Sequence, residues 1–287
     1  MLSHSLLDDP LLNPDMQHVP DDADQSITAA GLFGIVGSLV SLGTSGAGTI
    51  TRQAHTFGQT TVPGDPVNFF RWAQTTAATA GTPKWTHKIE NVRTFAGKKV
   101  TLCGYYRSNV AIDLKLRQDF GSGGSPSSDV TVVANGMNST LPNTNDADGV
   151  AQWKPFSISY NLPALTGKTI GTTAGTSYLG IDWLPPLNTT FQFDYCRLRL
   201  IEGGQADITT ARRPAQEDEH LLGRYYKVYA CTGTGASVPH CFAPRMATTP
   251  TVTVSAGSTS NPTADSAHFN HTVNVAVSLT ADARLAD

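Results

Sequence analysis

Few residues in this 287-residue chain are spaced for covalent chemistry. Gly167-Lys168-Thr169 has the ending of a phosphate-binding loop. Such a loop needs a second glycine five residues earlier, where Leu162 stands, and a helix to follow it. There is no Gly-x-Ser-x-Gly elbow to raise a nucleophilic serine. His268 and His271 are three apart, a spacing that on a strand sends the rings to opposite faces; surface histidines are expected, not a shared metal. The carboxylates Asp8/Asp9 and Asp146/Asp148 lie in polar loop sequence, whereas glycosidase carboxylates must face each other across a cleft. Cys103, Cys196, Cys231 and Cys241 have no Cys-x-x-Cys spacing, so no zinc or redox site is expected. Cys103 and Cys196 sit in apolar alternating runs and are expected as core thiols, while Cys231 and Cys241 flank a glycine-rich turn where a hairpin disulfide could form after release. These residues point away from an enzyme.

The elements around them are strands. Residues 99–106 (KVTLCGYY), 110–117 (VAIDLKLR), 130–134, 156–162 and 191–200 (FQFDYCRLRL) alternate apolar and polar side chains at period two. In the second run Ile112, Leu114 and Leu116 share one face, and Asp113, Lys115 and Arg117 share the other. Residues 121–128 (GSGGSPSS) and 141–149 (LPNTNDADG) carry turn-forming residues and read as exposed loops. One short helix is expected after Arg213-Pro214, with Pro214 at its first position, Glu217, Asp218 and Glu219 at its positive end, and Gly223 to stop it. Further strand-like runs follow, among them residues 250–255 and 272–279. The expected fold is all-β: an antiparallel β-sandwich of the jelly-roll kind, a short helical joint and a small C-terminal β-domain. The corresponding domains are an N-terminal attachment segment over 1–50, the jelly roll over 51–212, and the joint with its terminal sheet over 213–287.

Composition agrees. Charged residues make up only 15% of the chain against roughly 25% in an average soluble protein, and Thr, Ser, Asn, Gly and Pro take their place. The net charge of −3 is uneven: the first 51 residues hold six aspartates and no base, and the remainder holds 20 bases against 17 acids. Bases do not cluster, so a nucleic-acid groove is not expected. Residues 27–42 (ITAAGLFGIVGSLVSL) form the longest apolar run, but three glycines and a length of 16 fall short of the ~20 residues of a membrane span. Buried strands are expected there, with no membrane insertion. The opening residues lack the cationic start and apolar core of a signal peptide, which implies synthesis in a bacterial cytoplasm.

Many short segments in order resemble a module of phage tail-fibre and neck-fibre proteins that carries a carbohydrate-binding-like jelly roll. Leu11-Leu12-Asn13-Pro14-Asp15-Met16 is similar to its opening strand. Thr51-Arg52-Gln53-Ala54, Phe57-Gly58-Gln59 and Phe70-Arg71-Trp72-Ala73-Gln74-Thr75 follow, then Ile89-Glu90-Asn91-Val92-Arg93-Thr94-Phe95-Ala96-Gly97-Lys98. Gln118-Asp119-Phe120-Gly121, Gly123-Gly124-Ser125-Pro126-Ser127, Leu162-Pro163 and Gly167-Lys168-Thr169 come next, and Arg213-Pro214, Arg224-Tyr225-Tyr226, Pro250-Thr251-Val252-Thr253 and Ala281-Asp282-Ala283-Arg284-Leu285 complete the series. The resemblance covers residues 11–285. Where that module has Asp-Arg-Trp, this chain has the apolar stretch around Ala30-Gly31-Leu32, consistent with an attachment or self-packing role for residues 27–42. Head spikes of gene-transfer agents are one subclass that the compact length fits.

The resemblance implies a virion-surface fibre or spike protein that presents a jelly roll to a host surface polysaccharide and docks on capsid, neck or tail proteins. The other function it allows is a purely architectural adaptor or vertex protein that binds no glycan. Sugars are gripped by an aromatic face and planar polar side chains. The candidates are Trp153, beside a polar loop, with Asp113, Lys115 and Arg117 on one strand face; Trp72, Trp85 and Trp183 are expected in the core. No cofactor is expected. A structural calcium, which jelly rolls of this kind often hold where the chain enters and leaves the sandwich, would fall to Asp15 and Asp194. The apolar N-terminal stretch and the C-terminal strand edges imply self-association, as a homotrimer or a pentamer.

Overall fold

The computed structural model describes residues 38–127, 130–132, 139–173 and 176–203, together with the backbone of strands at 25–27 and between 226 and 282. The chain divides into two compact units, Met1–Arg213 and Pro214–Asp287.

Among the described residues the first unit holds twelve strands: β1 (Gln25–Ile27), β2 (Ser38–Ser41), β3 (Ala47–Ala54), β4 (Asn68–Thr76), β5 (Lys84–Glu90), β6 (Lys99–Ser108), β7 (Ile112–Asp119), β8 (Val130–Val132), β9 (Thr140–Leu141), β10 (Lys154–Asn161), β11 (Tyr178–Leu184) and β12 (Phe191–Glu202). They form two antiparallel sheets, ordered β1-β3-β4-β12-β6-β10 and β2-β5-β11-β7-β8, with β9 also on β7. Side-chain alternation explains the layering. Phe70 and Trp72 of β4, Leu102 and Tyr106 of β6, and Phe193 and Tyr195 of β12 point from the first sheet into one core. Trp85 and Ile89 of β5, Leu114 and Leu116 of β7, and Ile181 and Trp183 of β11 meet them from the second. The result is a two-sheet sandwich of the expected jelly-roll class. Its centre is aromatic: Trp72 meets Trp85 edge-on at 6.0 Å, and Trp183 stacks on Tyr195 at 5.3 Å. Each such ring is worth about 3–5 kcal/mol against alanine.

The strand at 110–117 begins at Ile112, and its Ile112, Leu114 and Leu116 do face the core. The boundary expected at 51 falls inside β3, and the apolar N-terminal stretch is not wholly apart from the sandwich. Ser38–Ser41 is an edge strand on β5, and Val40 and Leu42 are buried in the core. A run that looked suited to an outside partner is, at its C-terminal end, completing the monomer. Gly167-Lys168 forms a turn, and the neighbouring Thr169 bridges Ser125, so no helix follows it.

The described residues of the second unit form two three-stranded sheets, β13-β18-β15 and β14-β17-β16, from β13 (Tyr226–Thr232), β14 (Val238–Cys241), β15 (Thr251–Val254), β16 (Ser258–Ser260), β17 (Ser266–Asn270) and β18 (Ala276–Asp282). Cys231 pairs with Val277 in one sheet and Cys241 with Ser266 in the other, so β13 and β14 are not the paired arms of one hairpin. The helical joint expected after Arg213-Pro214 lies outside the described residues, as does Asp15. No helix of the described residues is long and apolar enough to cross a membrane.

Candidate functional site

The outer face of the first sheet carries a set of polar and aromatic side chains bordering a cavity. Parity along three adjacent strands puts it there. Phe69 and Arg71 alternate with core-facing Phe70 and Trp72 on β4, Tyr105 and Arg107 alternate with Tyr106 on β6, and Asp194 lies between Phe193 and Tyr195 on β12. The register then sets Asp194 directly opposite Arg71 on one side and Arg107 on the other.

Asp194 is fully buried and accepts from both guanidiniums. Arg71 approaches in parallel, Nε to Oδ1 and Nη2 to Oδ2, each at 2.9 Å, and Arg107 Nε reaches Oδ2 at 2.6 Å. The hydrogen bonds to Asp194 raise the Arg71 pKa still further above its ordinary value. Two cations against one carboxylate leave the row one positive charge in excess. Buried ions demand such pairing, because a carboxylate out of water is tolerable only when its lone pairs are met.

Rings hold the second arginine in place. The Arg107 guanidinium lies 5.0 Å from the Phe69 ring centre and 4.9 Å from that of Trp153, within cation–π range of both. Trp153 stands one residue before β10, and Lys154 of β10 already pairs with Tyr106. Trp153 meets Phe69 edge-on at 5.3 Å and His55 at 5.2 Å. Val62, Phe69, Tyr105 and Cys196 form a small apolar cluster here, with half-buried Trp153 packed against it.

Residues 55–67 fold over this cluster. The loop is pinched where the His55 N–H donates to the Val67 carbonyl at 2.8 Å. Gln59 knits it from within, accepting from the Val62 N–H and donating to the Val62 carbonyl, each at 2.8 Å. A bulge in β12 between Cys196 and Arg199 turns Arg197 toward the loop, where it donates to the Pro63 carbonyl. Gly64 is required beside it: at φ 75° any side chain is strained, and a Cβ would stand 2.6 Å from Arg197 Nη1. Opposite lies the 142–153 loop, where Asp146 accepts from the N–H groups of Asp148 and Val150 and from Gln152 Nε2.

Between these loops and the sheet is a cleft of about 440 Å³, lined by Gln53, Gln59, Arg71, Arg107, Gln152 and Trp153 among others. Amide and guanidinium donors beside an indole are the means to hold a polar ligand that also has an apolar face.

The residues singled out from sequence do not converge here. Trp153 is in the cleft wall, but Asp113, Lys115 and Arg117 lie on β7 of the other sheet. They face outward as their parity requires, yet the face belongs to the opposite side of the sandwich. Arg117 is also buried and committed: Nε donates to Asp182 Oδ2 at 2.8 Å and Nη2 to the Tyr178 hydroxyl at 3.0 Å. Asp113 accepts from the Thr140 hydroxyl. Asp194 does not suit the calcium expected of it, since two guanidiniums already occupy its oxygens and would repel a cation. No cluster of three or more metal-ligating His, Cys, Asp or Glu side chains occurs among the described residues. Parity alone could have found Phe69 and Arg71 as an outward pair. Arg107 and Asp194 needed knowledge of which strands are neighbours.

No family model matches the sequence, and no curated relative does. Solved structures with a similar arrangement include the enzymatically active domain of tailspike protein 4 of bacteriophage CBA120, at 8% identity and TM-score 0.39; the match covers 69% of this chain and 22% of that one. A putative sugar-binding protein of Bacteroides thetaiotaomicron aligns at 9% identity and TM-score 0.40 over 68% of this chain and all of its own length. The N-terminal cellulose-binding domain of Cellulomonas fimi β-1,4-glucanase C aligns at 10% identity and TM-score 0.35, over 59% of this chain and 91% of its own. The chain thus spans under a quarter of the tailspike domain. The sandwich assignment rests on the strand pairing described above.

Proposed function

We propose that this chain is a non-catalytic, glycan-binding subunit of a virion surface, a fibre or spike that attaches to host polysaccharide through the cleft beside Trp153. The observation that carries the glycan part is the pairing of a half-buried indole with amide and guanidinium donors in one cleft. A sugar ring presents C–H groups on one face and hydroxyls at its edge. The C–H groups are attracted to the electron-rich indole face, and the hydroxyls meet the arginine donors and the side-chain carbonyl oxygens of Gln53 and Gln152. The virion part is supported by the sequence resemblance across residues 11–285. Self-association, as a trimer or pentamer, belongs to the same proposal, because closed symmetry converts weak single-site contacts into avidity. Light scattering on the purified protein is expected to give a multiple of 30.4 kDa, and a stable monomer at micromolar concentration would remove that part.

The test of the main proposal is attachment. Fluorescently labelled protein is expected to decorate host cells, to be competed off by their extracted surface polysaccharide, and to lose attachment when Trp153→Ala is introduced with the fold intact. Decoration unaffected by the polysaccharide, or by Trp153→Ala, would refute it and favour an architectural part.

A further inference from the structure

We propose that the cleft selects anionic polysaccharides whose charge is carried by carboxylate groups, such as uronic-acid chains; this rests on the glycan-binding proposal above and specifies its ligand. The charge balance and the unused donors of the arginine row favour such a ligand. Asp194 is the carboxylate partner of both Arg71 and Arg107, and it lies behind them with no exposure. Each arginine side chain is about a quarter exposed, at 25%.

Their donors are unequally spent. Arg71 gives Nε and Nη2 to Asp194 and keeps Nη1. Arg107 gives only Nε, so Nη1 and Nη2 have no acceptor among the described residues. Those two nitrogens are the end of a planar fork that fits both oxygens of a carboxylate. The fork is also held rigidly, between the rings of Phe69 and Trp153, so little entropy remains to be lost when it engages a ligand.

The described lining residues include two arginines and a histidine but no aspartate or glutamate. Among the acids of the two flanking loops, Asp146 is turned to its own backbone and to Gln152, and Asp65 accepts from the Gly58 N–H. An uncharged sugar would leave the excess positive charge of this row unanswered in a partly desolvated site. An acidic sugar would satisfy it while its ring lies against Trp153.

The experiment uses the full chain and a matched pair of probes: oligogalacturonate, and the same oligomer with its carboxyl groups reduced to hydroxymethyl. Both are titrated by calorimetry at low salt and at 0.5 M NaCl, beside a glycan array that holds acidic and neutral bacterial polysaccharides. Array binding is expected to concentrate on carboxylate-bearing glycans. Carboxyl reduction is expected to weaken binding at least about tenfold, the range of one hydrogen bond to a charged group. Added salt should weaken the acidic ligand and leave the reduced one unchanged. Arg107→Gln should bring the acidic ligand down to the reduced one, while Arg107→Lys keeps part of the preference. The wild-type probe pair carries the test even if these variants fold poorly. Equal or stronger binding of neutral glycans, abolished by Trp153→Ala, overturns the acidic specificity and leaves glycan binding standing. No binding to any array glycan of either class overturns both.

Discussion

Acid should destabilise the sandwich through His87. It lies on β5 inside the core, stacked on Trp85 at 5.9 Å and bonded through Nε2 to the Tyr195 hydroxyl at 2.7 Å. Burial disfavours the imidazolium there and lowers its pKa to about 3 from an ordinary value near 6.5. The unfolded chain therefore binds a proton at a pH where the folded one does not. Neutral His87 contributes its full stability above pH 6.5, and that contribution is lost as the pH falls from 6.5 toward 3. By linkage the loss is about 2 kcal/mol at pH 5 and about 3 kcal/mol at pH 4. Other groups also titrate in this range, so a difference must isolate it. In the double variant His87→Phe/Tyr195→Phe both polar partners go together, which avoids leaving the tyrosine hydroxyl unpaired. Urea denaturation of both proteins from pH 7.5 to 4.5, followed by fluorescence of the core tryptophans, should give stability curves that keep a constant offset above pH 7. Below 6.5 they should diverge by up to about 1.4 kcal/mol per pH unit, the wild type falling faster. Parallel curves, or an imidazole that titrates near 6.5 by NMR in the folded protein, would refute the burial argument.

Other outcomes follow from the same contacts. Asp194→Ala should destabilise by about 3–5 kcal/mol, because it leaves two partly buried guanidiniums without their carboxylate, and thermal denaturation reads the loss directly. Trp72→Ala should cost a similar amount through a core cavity, with Trp153→Ala costing far less because that ring is only half buried; denaturant midpoints compare the two. Truncation before residue 51 should unfold or strongly destabilise the sandwich, since it removes Val40, Leu42 and Ile50 from the core, and a soluble, cooperative product would show that β2 is dispensable. Gly64→Ala should loosen the 55–67 loop, by strain at its positive φ and a clash with Arg197, and raise its hydrogen exchange with little change in global stability.

The sandwich was legible because alternation is local. Ile112, Leu114 and Leu116 declare their face within a single strand, and so do Phe193 and Tyr195. What was not legible is what joins distant strands. The Arg71–Asp194 and Arg107–Asp194 bonds span 123 and 87 residues, and nothing in either strand says that β12 runs between β4 and β6. The same ignorance made Asp113, Lys115 and Arg117 look like companions of Trp153, when their identical outward parity puts them on the far sheet. Asp194 was matched to calcium by likeness to jelly rolls that hold one where the chain enters and leaves the sandwich, and sequence does not say that arginines of β4 and β6 already occupy its oxygens. The bulge at Arg197 was also invisible, since it depends on two residues of β12 opposing Gly104 of β6 and not on any pattern within FQFDYCRLRL.

The central claim is that ligand meets Trp153, and the chain has only four tryptophans, of which Trp72, Trp85 and Trp183 are fully buried. Fluorotryptophan labelling therefore gives four fluorine resonances, assigned by single Trp→Phe replacements. Titration with polysaccharide from the host surface is predicted to shift one resonance saturably, the one that disappears in Trp153→Phe, with the other three almost unmoved. Saturable binding that leaves the Trp153 resonance in place would contradict the account and put the ligand on another face.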